Sequence, residues 1–222
     1  GMSERLLGAT VATHGDDKGL IMPPSIAPIQ VVIVPIFSRD NSEEIMSAAN
    51  EMVKELKSEK IRVKLDHRDI RPGQKYYDWE IKGVPLRIEL GPKDLKLNSF
   101  MCVRRTGEKS SYKLGELVNS VKKELGSVNE NMKGTANTHF NKCIKQMPSI
   151  EIVNSNISLE TDLEEGFVYE MPFEGNDAEA ELIEKETGFS FLGESTTPYS
   201  KERKCLVTGK HTTNRIFLAK TY

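Results

Sequence analysis

The residues best suited to chemistry lie in the middle of the chain, where basic, acidic and aromatic side chains alternate over residues 68–94. Glu80 and Arg87 are seven residues apart on either side of a turn, so that a helix end and a strand can direct both side chains into one pocket. Carboxylates accept hydrogen bonds from the amino and imino groups of guanine, and guanidinium groups donate to its O6 and N7 atoms. This pair therefore indicates recognition of a nucleic-acid base.

Two further features of the same region fit this chemistry. Tyr76, Tyr77 and Trp79 offer flat rings that can stack on unpaired bases. The turn over residues 104–109 adds positive charge for a phosphate or a base. The alternative is a salt-bridged packing of a helix against a strand, followed by a surface hairpin. Residue types alone leave both interpretations open.

No self-contained catalytic motif occurs in the sequence. It has no glycine-rich phosphate loop, no zinc-binding His-Glu-x-x-His helix and no Gly-x-Ser-x-Gly elbow. The four histidines, at positions 14, 67, 139 and 211, are scattered and fit structural or surface roles. The acidic loop at residues 14–17 could contact a metal or a nucleotide, although its residue types are more typical of an ordinary turn.

The length and composition exclude several classes of protein. The chain of 222 residues suffices for two domains, and 29% charged with 37% hydrophobic residues is typical of a globular protein. The longest uncharged apolar stretch, residues 26–37, is too short for a membrane span and contains prolines. Three widely spaced cysteines do not form a disulfide scaffold, and no secretory leader opens the sequence, so we expect a cytoplasmic protein.

The hydrophobic pattern predicts a three-layer α/β domain in the first half of the chain, built around a mixed, mostly parallel sheet. Apolar residues alternate or run together where strands are expected, and they recur every three to four residues where helices are expected. The predicted strands cover residues 30–36, 61–65, 85–90 and 100–105, and the predicted helices cover residues 42–60, 76–81 and 114–125.

The second half of the chain predicts a small α+β domain. Its residues 126–222 are net acidic, whereas residues 28–125 are net basic. The basic segment weakly favours a polyanionic partner, and a solvated surface of mixed sign is the alternative. Residues 126–150 fit a polar helix or a linker. Beyond them we expect strands at 167–171, 205–207 and 216–219 and a helix at 177–186.

Two long runs, residues 14–36 and 71–95, resemble the prolyl-tRNA synthetases of the archaeal and eukaryotic type. Shorter runs at residues 104–109 and 219–222 match the same family, so that the resemblance covers essentially the whole chain. The domains that it implies are the end of a class II catalytic core with a linker (1–27), an α/β anticodon-binding domain (28–128) and a C-terminal domain (129–222).

The resemblance also implies roles for individual residues. Glu80, Arg87 and Lys109 match side chains that contact the anticodon guanines in that family, and Tyr76 occupies a neighbouring aromatic position. Arg5 matches an arginine of the third class II motif, which binds ATP. That motif is only partial here, and no complete set of catalytic residues is expected in this chain.

The implied function is recognition of the anticodon of tRNA(Pro) by the C-terminal part of a proline–tRNA ligase. The full enzyme attaches L-proline to tRNA(Pro) through a prolyl-adenylate formed from ATP with Mg, and we expect it to be a homodimer. Because the sequence lacks the first two class II motifs, we expect this chain alone to be inactive. The alternative is a stand-alone tRNA-binding or regulatory module that charges no tRNA.

Members of this family commonly carry a four-cysteine zinc site in the C-terminal domain, and the resemblance implies that only one of the four thiols remains here. The matching positions are Glu174, Glu179 or Ala180, Cys205 and Thr208. Because alanine and threonine are not zinc ligands, we expect no zinc. A rescue site of Glu174, Glu179 and His211 is the alternative. We expect apolar packing to replace the metal, with a core of Phe173, Leu182, Phe189, Phe191 and Phe217.

Overall fold

The computed structural model describes residues 3–37, 41–153 and 156–221. The chain divides into two compact units, Gly1–Ala136 and Asn137–Tyr222. Tyr222, which ends the matching run at residues 219–222, lies outside the described residues. Within the described part, no helix has the length and apolar character needed to cross a membrane.

A five-stranded mixed sheet forms the centre of the first unit, with the strand order β2-β1-β3-β4-β5. Strand β1 runs parallel to β2 and β3, whereas β4 is antiparallel to both β3 and β5. The elements are α1 (Arg5–His14), β1 (Val31–Pro35), α2 (Ser42–Ser58), β2 (Val63–Leu65), α3 (Pro72–Ile81), β3 (Leu86–Leu90), α4 (Pro92–Lys96), β4 (Ser99–Arg104), β5 (Lys109–Lys113) and α5 (Leu117–Cys143).

The predicted α/β class and mixed sheet are confirmed, but two of the four strand pairs are parallel rather than most of them. Helices α2 and α3 supply the long crossovers that parallel strands need. The later connections are too short for a crossover. The chain returns after β3 through the short α4, and after β4 through a tight turn in which Gly107 has a φ of 105°.

The sheet of the first unit is covered on both faces, as the three-layer prediction requires. Val31 and Ile33 of β1 point into the larger core, which α2 and α5 complete. The alternate residues Val32 and Val34 point to the opposite face, where they pack against Trp79 of α3. Alternation along a strand sends successive side chains to opposite faces, so a fully apolar β1 is buried between two helical layers.

Two helices extend beyond their predicted limits. Helix α3 begins at Pro72, not at residue 76, because proline at the first helical position loses no hydrogen bond and has a fixed φ that suits a helix. Helix α5 continues through Gly126 and Gly134 to Cys143, which resolves the helix-or-linker alternative for most of residues 126–150 in favour of a helix.

The second unit is built on a four-stranded sheet with the order β10-β13-β9-β6. Helix α6 packs on it, and Met171, Ile183 and Leu218 are fully buried between them. The strand predicted at residues 205–207 is wrong, because the chain forms a tight turn there. The elements are β6 (Ile144–Gln146), β7 (Ile150–Val153), β8 (Asn156–Leu159), β9 (Val168–Pro172), α6 (Asp177–Thr187), β10 (Ser190–Glu194), β11 (Arg203–Lys204), β12 (His211–Thr212) and β13 (Arg215–Ala219).

The core predicted for the second unit is correct in part. Phe189 is buried, and Phe173 and Phe191 pack against the same cluster with their rings edge to face at 5.3 Å. Leu182 and Phe217 do not belong to that cluster. Strand alternation explains Phe217: its neighbours on β13 point into the core, so its own ring points to the opposite face of the sheet.

Candidate nucleic-acid interface

Two of the predicted site residues, Arg87 and Lys109, project from one face of the five-stranded sheet. Arg87 of β3 pairs with Val103 of β4, and Val103 pairs in turn with Lys109 of β5. Residues directly opposite each other on neighbouring strands project from the same face. Because Arg87 also pairs with Val32, this is the face on which α3 packs. Helix α3 directs Tyr76 and Glu80 towards the same place.

Arg87 is the centre of the arrangement. Its Nη1 donates to Glu80 Oε1 at 3.1 Å, and its Nε donates to Glu89 Oε1 at 3.0 Å. Its Nη2 also lies 3.0 Å from Glu89 Oε1. The guanidinium carbon lies 3.9 Å from the centroid of the Tyr76 ring, in cation–π distance. Only 10% of the Arg87 side chain is exposed, against 29% for Glu80.

Tyr76 packs its ring against the Arg87 guanidinium as a neutral phenol. Burial, and after it the negative charge of Glu89, raises the pKa of Tyr76 to about 12. Its hydroxyl therefore remains protonated at neutral pH, and its ring face holds the Arg87 guanidinium. The structure brings Glu80 and Arg87 together, as the sequence predicted, but their ion pair also fits the salt-bridged packing of a helix against a strand that was the alternative, so recognition of a base stays a prediction.

Glu89 is the member of the cluster that sequence reasoning missed. It stands two residues after Arg87 on β3, and strand alternation places both side chains on one face. That periodicity was readable in the sequence, and it would have identified the second carboxylate beside Arg87.

A buried arginine fixes the end of α3 that carries Glu80. Arg105 Nε donates to the backbone oxygens of Glu80 at 2.8 Å and of Leu20 at 3.1 Å. Its two terminal nitrogens donate to the Asp16 carboxylate at 2.6 and 3.0 Å. These hydrogen bonds lower the pKa of Asp16. The carboxylate of Asp16 thus serves this ion pair, which favours the structural interpretation of the acidic loop at residues 14–17.

The same contacts explain the turn after α3. Gly83 has a φ of 68°, and a Cβ atom there would lie 2.6 Å from the backbone oxygen of Leu20. Only glycine accommodates both the left-handed backbone and this close approach. The segment before β1 is therefore packed against the end of α3, and both are held by Arg105.

The arginines of the turn at residues 104–109 do not provide the free positive charge that was predicted. Arg105 is buried in the contacts described above. Arg104 donates to Glu124 of α5 at 2.5 Å, and Tyr112 also donates to that carboxylate. Lys109 is exposed, and it supplies the remaining cation of this turn on the site face.

The aromatic residues proposed for stacking differ in their availability. Trp79 is only 6% exposed, and its indole nitrogen donates to Asp66 Oδ2 at 2.7 Å, so its predicted stacking on a base is wrong. The ring of Tyr76 is covered on one face by Arg87. Tyr77 is 61% exposed and can stack on a base.

Arg5 is not part of this cluster. It lies at the start of α1 with an exposed side chain, and α1 contains no buried residue. The structure therefore brings Glu80, Arg87 and Tyr76 into contact, aligns Lys109 with them across the sheet, and leaves Arg5 apart.

The positions that match the zinc ligands of the second unit form a hydrogen-bonded network instead. The Glu174 carboxylate accepts from Thr212 Oγ1 at 2.8 Å and from Asn214 Nδ2 at 2.9 Å. Thr208 Oγ1 donates to the backbone oxygen of Glu174 at 3.1 Å. The backbone N–H of Thr208 donates to Cys205 Sγ at 3.4 Å. One thiol and an already occupied carboxylate do not fit a tetrahedral structural zinc.

The alternative zinc set does not fit either. Glu179 Oε2 accepts from the backbone nitrogen of Asn176 at 2.8 Å, in a capping box that begins α6. His211 lies on the exposed surface, 4.0 Å from Glu202. Among the described residues, no group of three or more His, Cys, Asp or Glu side chains is placed to hold a metal ion.

The cluster lies within a domain that known proteins share. The family model described as "Anticodon binding domain" matches residues 30–124. The chain is 40% identical over its whole length to the proline–tRNA ligase of Thermococcus kodakarensis, covering 46% of that protein, and 40% identical to that of Methanosarcina mazei, covering 45%. A solved structure of Giardia lamblia prolyl-tRNA synthetase in complex with prolyl-adenylate matches with a TM-score of 0.81 and 28% identity, over 100% of this chain and 49% of that one. The chain spans about half the length of the relatives that it matches.

Proposed function

Since the chain belongs to the prolyl-tRNA synthetase family and corresponds to the C-terminal part of its members, we propose that its first unit reads the anticodon of tRNA(Pro). The observation that supports this most directly is the cluster of Glu80, Arg87 and Tyr76, formed between α3 and the sheet within the matched domain. A basic group and a carboxylate held side by side offer a guanine base both the donors and the acceptor that it needs.

Glu80 is more available to a base than Arg87, because 29% of its side chain is exposed against 10% for Arg87. One of its oxygens accepts from Arg87, and the other, which has no hydrogen-bond donor among the described residues, can accept from guanine N1 and N2. Arg87 has five N–H donors, of which three contact the two carboxylates. The two that remain suit the O6 and N7 acceptors of a second guanine. Lys109, on its flexible stem, adds a donor for a guanine acceptor or a phosphate.

Binding to two RNA stem-loops tests this proposal. One is the anticodon stem-loop of tRNA(Pro), and the other has both anticodon guanines changed, with moderate salt held constant. We expect at least a tenfold preference for the first, which is about 1.4 kcal/mol. Equal, salt-sensitive binding of both stem-loops would mean that the chain contacts only the phosphate backbone, and the proposal would be wrong.

For the complete enzyme we propose the reaction of its relatives, attachment of L-proline to tRNA(Pro) through a prolyl-adenylate made from ATP with Mg. We propose that it acts as a homodimer in the cytoplasm. Arg5 is its ATP-contacting residue in this chain, and the chain alone is expected to be inactive in an aminoacylation assay.

The second candidate is a stand-alone tRNA-binding or regulatory module. It is considered because the chain aligns over its whole length with only 46% of the Thermococcus kodakarensis ligase. The extent of the open reading frame separates the two candidates. A catalytic core with the first two class II motifs, encoded in the same frame, would favour the ligase.

A further inference from the structure

A second basic site lies on the same sheet face as the cluster of Glu80, Arg87 and Tyr76. It lies on the other side of β1. It is a cavity of about 230 Å³ at the edge strand β2, and Trp79 is one of the residues that line it. Lys64 and Lys82 line it together with Arg68 and the carboxylate of Asp66. The proposed function above assigns no role to any of these residues.

Three cations surround one indole ring in this cavity. Lys82 Nζ lies 4.8 Å from the Trp79 centroid, and Lys64 Nζ and Arg68 Cζ each lie 5.9 Å from it. Arg68 is neutralised, because it forms ion pairs of 2.7 Å with Asp66 and with Asp78. Neither lysine forms an ion pair with any carboxylate in the described part of the chain.

This arrangement favours an anion as the ligand. Both lysines line one cavity, and its Asp66 carboxylate is already engaged by Arg68 and Trp79, so an anion bound there is attracted by two ammonium groups that have no carboxylate partner. Lysine binds phosphate as a point charge, and the fixed Arg68 guanidinium adds further donors at the rim. A cation would be repelled by the same groups. A phosphate group is small enough for the cavity and needs no base-specific partner.

The sheet register indicates where the anion comes from. Lys64 pairs with Val32, which pairs with Arg87, so Lys64 lies in the same cross-strand row as Arg87 and Lys109. Neighbouring strands lie about 4.8 Å apart, which places the Cα atoms of Lys64 and Arg87 roughly 10 Å apart. A single RNA stem-loop spans that separation easily.

We propose that Lys64, Lys82 and Arg68, grouped around Trp79, bind a phosphodiester group of the RNA whose bases contact Glu80 and Arg87. The proposal rests on the proposed function, since it extends the footprint of the same RNA. The site adds affinity and orientation but no sequence preference, because a phosphate contact carries no base information.

Trp79 makes the site directly observable, because it is the single tryptophan of the chain. Its fluorescence is measured while inorganic phosphate is added, with sodium chloride of equal ionic strength as the reference. We expect a saturable change for the natural protein and for Lys54→Gln, an exposed lysine of α2 across the sheet, and none for the double variant Lys64→Gln/Lys82→Gln. An unchanged emission in the natural protein, or a retained response in the double variant, would overturn the proposal.

RNA binding provides the second arm. Loss of one contact that releases a counterion lowers the slope of log Kd against log salt by about one. Compared with the natural protein, the double variant should therefore bind each stem-loop about tenfold more weakly at 0.1 M salt. At 1 M salt the two proteins should bind about equally well. Its preference between the stem-loops should be unchanged. If phosphate binds but RNA affinity does not fall, the site serves free phosphate and the assignment to RNA is wrong.

The phosphate titration and the RNA-binding experiment together distinguish this proposal from the proposal of anticodon reading. If the natural protein does not distinguish the stem-loops, the anticodon assignment fails, while the phosphate titration still decides whether the cavity binds anions. If the stem-loops are distinguished and phosphate has no effect, only the cavity proposal fails. Both lysines are exposed, so the double variant is expected to fold, and urea unfolding checks this.

Discussion

The change Glu80→Gln tests anticodon reading most sharply, because it preserves the shape of the side chain and removes only its charge. A glutamine at this position still accepts through one oxygen, but its other end becomes a donor that faces the two donors of guanine. We therefore expect the preference for the natural anticodon to fall by about 1–3 kcal/mol, which is about 5- to 150-fold in the ratio of Kd values.

The structure also limits the effect of this change on stability. The Glu80 side chain is 29% exposed, and Arg87 keeps its contacts with Glu89 when the Glu80 charge is lost. No buried charge is left without a partner, and a part-exposed ion pair contributes about 1 kcal/mol or less. The free energy of unfolding should therefore change by less than the binding preference does.

Fluorescence anisotropy with the two stem-loops gives the ratio, and urea unfolding gives the stability. Glu55→Gln, an exposed carboxylate on α2, serves as the matched control for the loss of one negative charge. If Glu80→Gln weakens both stem-loops equally, or leaves both unchanged, Glu80 does not read a base and the reasoning is refuted.

Three further changes test the framework around the site. Arg105→Ala should lower the free energy of unfolding by about 3 kcal/mol in urea, because it removes a buried guanidinium from two carbonyl oxygens and Asp16. An unchanged free energy of unfolding would show that the contacts of Arg105 do not stabilise the end of α3. Burial raises the pKa of Asp66, but hydrogen bonds from Arg68 and Trp79 outweigh it and hold the pKa far below its usual range. Asp66→Asn should therefore be destabilising at pH 7, with the deficit constant above about pH 4, where an unfolded aspartate is ionised, and shrinking in acid unfolding as the pH falls towards the folded pKa. A deficit independent of pH would contradict this. A chelator should leave the melting temperature of the natural protein unchanged, and one zinc per chain in elemental analysis would refute the metal-free network.

Local features of the site were predictable from the sequence, whereas its long-range contacts were not. The helix that carries Glu80 and the strand that carries Arg87 follow from periodicity over a few residues. The ion pair that holds the end of α3 joins Arg105 to Asp16, which is 89 residues away. No local sequence pattern predicts such a contact. The role of Trp79 depended on which side of α3 packs on β1, and both a buried and an exposed tryptophan were compatible with the sequence.

Hydrogen bonds around Glu174 join the positions that match zinc ligands of the family. The sequence comparison predicted that apolar packing replaces the zinc, and the aromatic residues do pack nearby. At the matching positions themselves, however, the contacts are polar. The Glu174 carboxylate accepts from Thr212 and Asn214, so one carboxylate joins the segment at residue 174 to the segment at residues 212–214.

The turn after Cys205 is closed by hydrogen bonds within its own few residues. Gly209 has a φ of 69°, and its N–H donates to the Cys205 carbonyl at 3.0 Å. Burial raises the pKa of the Cys205 thiol, but hydrogen bonds from Thr208 and from neighbouring backbone amides outweigh burial and lower the pKa below its ordinary value. The sulfur accepts from the N–H of Thr208 in the same turn, so this contact is local. Glu174→Ala should therefore unfold the second unit more readily than Cys205→Ser does, since the carboxylate joins more segments than the sulfur, and urea unfolding of both variants measures the difference. If Cys205→Ser is the more damaging change, the sulfur rather than the carboxylate holds this region together.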